Sequence, residues 1–154
     1  MFRRILTFSL ILIVAAACKK TDPNPDFSAI DKQLIEEYIT VKKLTAQSTS
    51  SGLYYVITTP GESVHPAINS SVTAYYKGYL ADGTIFDQTA TGKPATFSLS
   101  GVIAGWQEGL PLIGKGGKIK LLIPSALGYG NMATGRIPRN SVIIFDIELV
   151  SFTN

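Results

Sequence analysis

Apolar side chains recur along this chain with two different periods. Between residues 28 and 44, Ile30, Leu34, Tyr38 and Val41 return every third or fourth position, the spacing of an amphipathic helix. Ser28 with Asp31 three residues on has the form of a capping box, so the helix is expected over about 29–44. From Leu53 onward the period drops to two. "LYYVIT" is β-branched and aromatic and runs into a Pro60-Gly61 turn. In "SVTAYYKGYL", Val72, Ala74 and Tyr76 share one face while Thr73, Tyr75 and Lys77 share the other. Asp82-Gly83 suits a tight hairpin turn, and Ile85 and Phe86 begin the return strand. "ATFSL" is another short strand. In "GKIKLLIP", Ile119, Leu121 and Ile123 alternate inward, and "VIIFDIELVSF" does the same with Ile143, Phe145, Ile147 and Leu149. "VIAGWQEGLPLI" has room for only a brief helix, because Pro111 and the glycines limit it. The pattern predicts an α+β domain over 53–154, an antiparallel sheet of about five strands with one short helix over a face.

The N-terminal end reads differently. Arg3 and Arg4 precede an apolar run, Ile5 to Val14, which closes in three alanines and Cys18. That order is a secretory signal over 1–17, too short for a good membrane-spanning helix. Cys18 is the sole cysteine, so no intrachain disulfide can form, and its place after small residues is similar to a bacterial lipobox. Cys18 is therefore the expected lipidation site, although Ala15 stands where lipoboxes usually carry Leu. Ordinary cleavage nearby and an uncleaved anchor are the alternatives. The polar, proline-broken segment 18–27 suits a tether, and 28–52 comprises the helix and a second linker, "TAQSTSSG". The helix stripe could pack on the domain, pair with a second copy through 29–44, or rest on a membrane. Both signs of charge on its other face, Lys32, Glu36, Glu37 and Lys43, favour the first two.

Composition narrows the chemistry. A hydrophobic content of 45% is enough for a compact core. Removing 17 of the 154 residues, Arg3 and Arg4 among them, would take the net charge from +3 to +1. The basic balance thus belongs mostly to the leader, and no nucleic-acid partner is expected. Nucleophilic catalysis by Ser or Cys needs a positioned base, yet the one histidine, His65, lies in the proline-flanked loop "SVHPAIN" and Cys18 lies at the processing site. No CxxC, HExxH or phosphate-cradling loop occurs, so neither metal nor cofactor is expected. The long loop "SALGYGNMATGRIPRNS" is a candidate functional segment.

Four segments, "VTAYYKGYLADGTIFDQ", "VIAGWQEGL", "KIKLLIPSALGYG" and "IPRNSVIIFDIELV", resemble the FKBP-type peptidyl-prolyl isomerases in that family's order and spacing, over about 53–152. The start of the chain is similar to single-domain bacterial lipoprotein members. The resemblance implies an FKBP-like twisted sheet wrapped on the short helix, preceded by the amphipathic helix. It makes Trp106 the floor of a proline pocket, with Tyr76, Phe86, Val102, Ile103 and Phe145 as walls and Ile137 on the rim. It further implies that Tyr129 bonds a carbonyl of the bound segment, that Ile103 offers its backbone N–H to another, and that Asp87 at the mouth accepts a bond from Tyr76. Proline-containing polypeptides are the implied partners, with macrolide ligands left open. An exported, membrane-anchored lipoprotein of the bacterial envelope, facing the periplasm, is the implied setting, and the alternative function is a holding chaperone or peptide-binding module on the same fold with little catalysis. Some positions depart from the pattern. Ala95 stands where many members place a pocket aromatic, leaving one wall open; Tyr75 replaces a common histidine; "DQTATGKP" lacks an arginine near the acid; and Met132, Arg136 and Arg139 make the loop tip less apolar.

Overall fold

A computed structural model describes residues 26–153. The expected leader, most of the tether and Cys18 lie outside the described residues. Helix α1 (Phe27–Lys42) is followed by strands β1 (Gln47–Ser48), β2 (Tyr54–Thr59), β3 (Ser71–Leu80), β4 (Ile85–Gln88) and β5 (Ala95–Ser98). Helix α2 (Ala104–Gly109), β6 (Lys118–Ile123) and β7 (Ile143–Thr153) complete the chain. Every pairing is antiparallel, in the order β1-β2-β6-β7-β3-β4, with β5 also on β3. β3 pairs along its full length with β7, while its other edge is shared by β5 beside Ser71–Ala74 and β4 beside Lys77–Tyr79. The strand beyond those read from the sequence is β1, two residues within the segment read as linker; Gln47 and Ser48 pair with Tyr55 and Tyr54.

Alternation assigns the two faces of the sheet. Ile119, Leu121, Ile123, Ile143, Phe145, Ile147 and Leu149 point to one side with Val72 and Ala74, and bury against Trp106 and Leu110. Leu122 and Ile144, paired across β6 and β7, point to the other side and are covered by α1 through Ile35. Ile35 is 1% exposed, and burying a side chain of its size is worth about 1.5–3 kcal/mol.

The docking of α1 departs from its sequence reading in two ways. The cap is Asp26, whose carboxylate accepts from the N–H groups of Ser28 and Ala29, and the Ser28–Asp31 box does not form. Asp31 instead turns inward and accepts two bonds from Ser125. The packed face is that of Asp31, Ile35, Tyr38 and Ile39; of the expected stripe Tyr38 packs, while Ile30, Leu34 and Val41 stay exposed. The reason lies in the sheet: Leu122, Val142 and Ile144 form an apolar patch, with Ser125 beside it as a donor, and the helix turns the face that satisfies both.

Candidate active site

Helix α2 lies unusually close to β6. A Cβ on Gly105 would come within 2.7 Å of Ile123, and one on Gly109 within 2.6 Å of Leu121. These glycines, four residues apart and so on one helix face, let α2 lie flush on the sheet and set Trp106 into the core at 4% exposure. Three rings stand edge-on around the indole: Tyr76 at 5.4 Å, Phe97 at 5.7 Å and Phe145 at 5.2 Å between centroids. Such T-shaped pairs are favoured by ring quadrupoles, which makes the cluster a stiff wall.

Above Trp106 opens a cavity of about 290 Å³, walled by Tyr76, Phe97, Phe145 and the backbone turn Gly101–Ile103. Tyr129 and Asp87 stand on its border as polar groups. Ile103 caps α2, and the turn's bonds engage its carbonyl, which accepts from Trp106 and Gln107, and not its N–H. The Gln107 side chain donates to the Val102 carbonyl at 2.7 Å, fixing the turn from behind.

Asp87 is exposed at the mouth, and its Oδ2 accepts a 2.6 Å bond from the Tyr76 hydroxyl. Burial first, then the bond to Asp87 and its negative charge, hold the Tyr76 phenol far above its ordinary titration range. Burial and the same carboxylate also push the Tyr129 phenol up. Both hydroxyls therefore keep their protons at neutral pH, Tyr76 donating to Asp87 and Tyr129 with a proton to donate to a ligand.

The consecutive residues Phe86 and Asp87 both meet the inward side of β3, which a regular strand would forbid. The register passes from Gly78–Asp87 to Tyr79–Ile85, leaving Phe86 as the extra residue of a bulge. Its ring lies over Gly78, where a Cβ would sit 2.6 Å from Phe86 and 2.7 Å from Phe145.

Of the residues expected at the site, Tyr76, Asp87, Val102, Ile103, Trp106, Tyr129 and Phe145 surround the cavity. Phe86 stands one ring behind, packed edge-on against Phe145 at 5.5 Å. Ile137 is not on the rim: it is 4% exposed within the main core, held by reciprocal backbone bonds with Thr134. Nor is a wall left open beside Ala95. Phe97 supplies it, two residues on and on the same face of β5, where it pairs with Val72. The period-two reading of "ATFSL" carried that signal. His65 ties its loop to the Pro111 carbonyl at 2.9 Å, away from the cavity. A wider groove of about 430 Å³ crosses the outer face of the sheet, lined by the ion pairs Lys118–Glu148 and Lys120–Asp146.

Among the described residues, no group of three or more His, Cys, Asp or Glu side chains could hold a metal ion, and no helix is long and apolar enough to cross a membrane.

The family model for FKBP-type peptidyl-prolyl cis-trans isomerase matches residues 62–150. The FKBP-type peptidyl-prolyl cis-trans isomerase FkpA of Buchnera aphidicola is 46% identical over 136 residues, 84% of this chain and 54% of that protein. FkpA of Escherichia coli K12 is 41% identical over 137 residues, 88% of this chain and 50% of that protein. The chain thus spans about half the length of these curated relatives. The crystal structure of Escherichia coli FkpA superposes with a TM-score of 0.73 at 40% identity, covering 82% of this chain and 61% of that one. A peptidyl-prolyl cis-trans isomerase from Pseudomonas syringae pv. tomato gives 0.70 at 29% identity, covering 87% and 100%.

Proposed function

The chain belongs to the FKBP-type peptidyl-prolyl cis-trans isomerase family, and from that premise we propose that its domain, residues 53–154, accelerates rotation about X-Pro bonds in polypeptides. The observation that carries the reading is the cavity over Trp106, lined by Tyr76, Phe97 and Phe145 rings, with its polar groups confined to the Tyr76–Asp87 pair, the Tyr129 hydroxyl and the Gly101–Ile103 backbone.

The reaction asks for little conventional chemistry. Amide resonance sets a barrier of about 18–20 kcal/mol, and unaided X-Pro isomerisation takes tens to hundreds of seconds. In the twisted amide the nitrogen lone pair withdraws from the carbonyl, so the group is less dipolar and loses less by leaving water. The ring-lined cavity accommodates the prolyl ring and receives this state better than the planar one. The Ile103 N–H and the protonated Tyr129 hydroxyl hold carbonyls of the bound segment on either side of the turning bond. Asp87, one oxygen engaged by Tyr76, supplies a fixed negative field at the mouth. No atom of the site gains or loses a proton, and each ~1.4 kcal/mol of preference for the twisted state gives tenfold in rate.

The test is cis-to-trans relaxation of a panel of X-Pro peptides with the native chain and its Asp87→Ala variant. Acceleration that falls in the variant is the expected result; a well-folded native chain that leaves the uncatalysed rate unchanged throughout the panel would overturn the reading. Export and acylation at Cys18 belong to the same proposal and rest on the 1–18 sequence. Mass spectrometry of the N-terminal peptide from membranes should find a diacylglyceryl-modified Cys18, and Cys18→Ala should release the protein from the membrane.

A further inference from the structure

Asp31 is 1% exposed, yet it sits on α1, upstream of the span that the family model matches. Its Oδ2 accepts from the Ser125 backbone N–H at 2.8 Å and from the Ser125 hydroxyl at 2.6 Å. Ser125 is itself 4% exposed and opens the segment that carries Tyr129. Its carbonyl accepts from the N–H of Gly128 at 3.0 Å and of Gly130 at 2.8 Å, the two residues that flank Tyr129. The Gly130 carbonyl in turn accepts from Asn140 at 2.8 Å, closing the far side of the loop. One carboxylate oxygen on the outer helix thus fixes the residue from which the backbone on both sides of Tyr129 hangs.

We propose that Asp31 is a positioning residue for Tyr129, coupling the docked helix α1 to the polar border of the cavity through Ser125. The inference rests on the isomerase reading for its consequence on rate, but not for its structural content. Anchoring the helix alone does not call for an acid, because Ile35 already buries against Leu122 and Ile144, and a buried carboxylate carries a desolvation cost. What the carboxylate adds is two directed acceptor contacts to a single residue, which fix the orientation of the segment. Small losses of orientation at a positioned group cost rate without costing the fold.

The experiment compares Asp31→Ala, Ile35→Ala and Tyr129→Phe in the full chain, with Asp31→Ala also made in the Tyr129→Phe background. Asp31→Ala is expected to lower kcat/KM roughly fivefold and to have no further effect once the Tyr129 hydroxyl is gone, the non-additivity of residues acting through one group. Ile35→Ala is expected to lower the unfolding midpoint while kcat/KM stays within about twofold. Asp31→Asn, which keeps an acceptor for Ser125, should restore most of the rate. Independently of turnover, the ¹³Cζ resonance of labelled Tyr129 should titrate closer to an ordinary phenol in Asp31→Ala and not in Ile35→Ala. Equal losses from Asp31→Ala with and without the Tyr129 hydroxyl, or an unmoved Tyr129 titration, would overturn the proposal. A native chain without isomerase activity defeats the functional reading only, and the Tyr129 titration then decides the coupling alone. If Asp31→Ala does not fold, Ser125→Ala removes one of the two bonds, and a smaller shift in the same direction is the expected result; no shift overturns the proposal.

Discussion

The Tyr76 hydroxyl reaches the Asp87 carboxylate at 2.6 Å because Asp87 pairs with Gly78, two residues from Tyr76 on the same face of β3, just before the two strands change register. Gly78 pairs with Asp87 and Tyr79 with Ile85, so the bulged Phe86 folds its ring onto Gly78 while Asp87 keeps the inward side. An acid and an aromatic adjacent in sequence thereby serve the same cavity.

Removing the acid separates field from fold. Asp87 is exposed, so Asp87→Asn should leave the unfolding midpoint nearly unchanged while kcat/KM for an X-Pro peptide falls by about tenfold, the loss of ~1.4 kcal/mol at the transition state. Circular dichroism and peptide relaxation on the same sample check both. Full activity in a folded variant would remove Asp87 from the mechanism. Retained suppression of aggregation with lost isomerisation would mark holding as a second, separable property of the domain.

Gly78 admits no side chain where it stands. Gly78→Ala must displace the rings of Phe86 and Phe145, and overpacking of this kind costs about 1–3 kcal/mol. Urea unfolding should show that loss, together with a fall in isomerisation as Phe145 shifts against Trp106. A variant as stable as the native chain would mean the rings relax freely.

Phe97 is the wall that closes the cavity on the β5 side. Phe97→Ala should raise KM several-fold with a smaller change in kcat, because the contact serves ground state and transition state alike. Trp106 emission should shift to the red as water reaches the indole. An unchanged KM would show that substrate does not use this wall.

The Tyr76 phenol gives a pH signature. Its folded titration lies above the ordinary 10.0, so the unfolded chain loses its proton first as pH rises. The stability tied to this group is complete below pH 10 and is lost as pH climbs from there through the folded value. Denaturant midpoints should be level in this respect between pH 7 and 9 and fall above pH 10. Tyr79 is displaced in the same direction, by burial first and then its bond with Tyr38, so Tyr76→Phe should flatten only part of the decline.

Periodicity and turn residues by themselves determined most of the architecture. Alternation in "KIKLLIP" and "VIIFDIELV" already divided inward Leu121 and Phe145 from outward Lys120 and Asp146, because side chains along a strand can only alternate. Pro111 and the glycines of "VIAGWQEGL" held α2 to six residues. Most residues that line the cavity were legible as a family pattern in order, whereas Phe97 was not named, although its parity with Ala95 on one face of β5 carried the signal.

Tertiary structure decided what depends on a partner rather than on a period. The bulge at Phe86 arises from how β4 must pass Gly78, a contact between strands that neither strand encodes alone. Ile137, expected at the rim, lies 4% exposed in the main core, while its backbone bridges Thr134. Asp31 looked like one half of a local cap, and became a buried acceptor only because Ser125, 94 residues away in the chain, comes to lie beside it. Local propensity fixes which faces an element has; the free energy of pairing apolar patches and satisfying buried donors fixes which face is used.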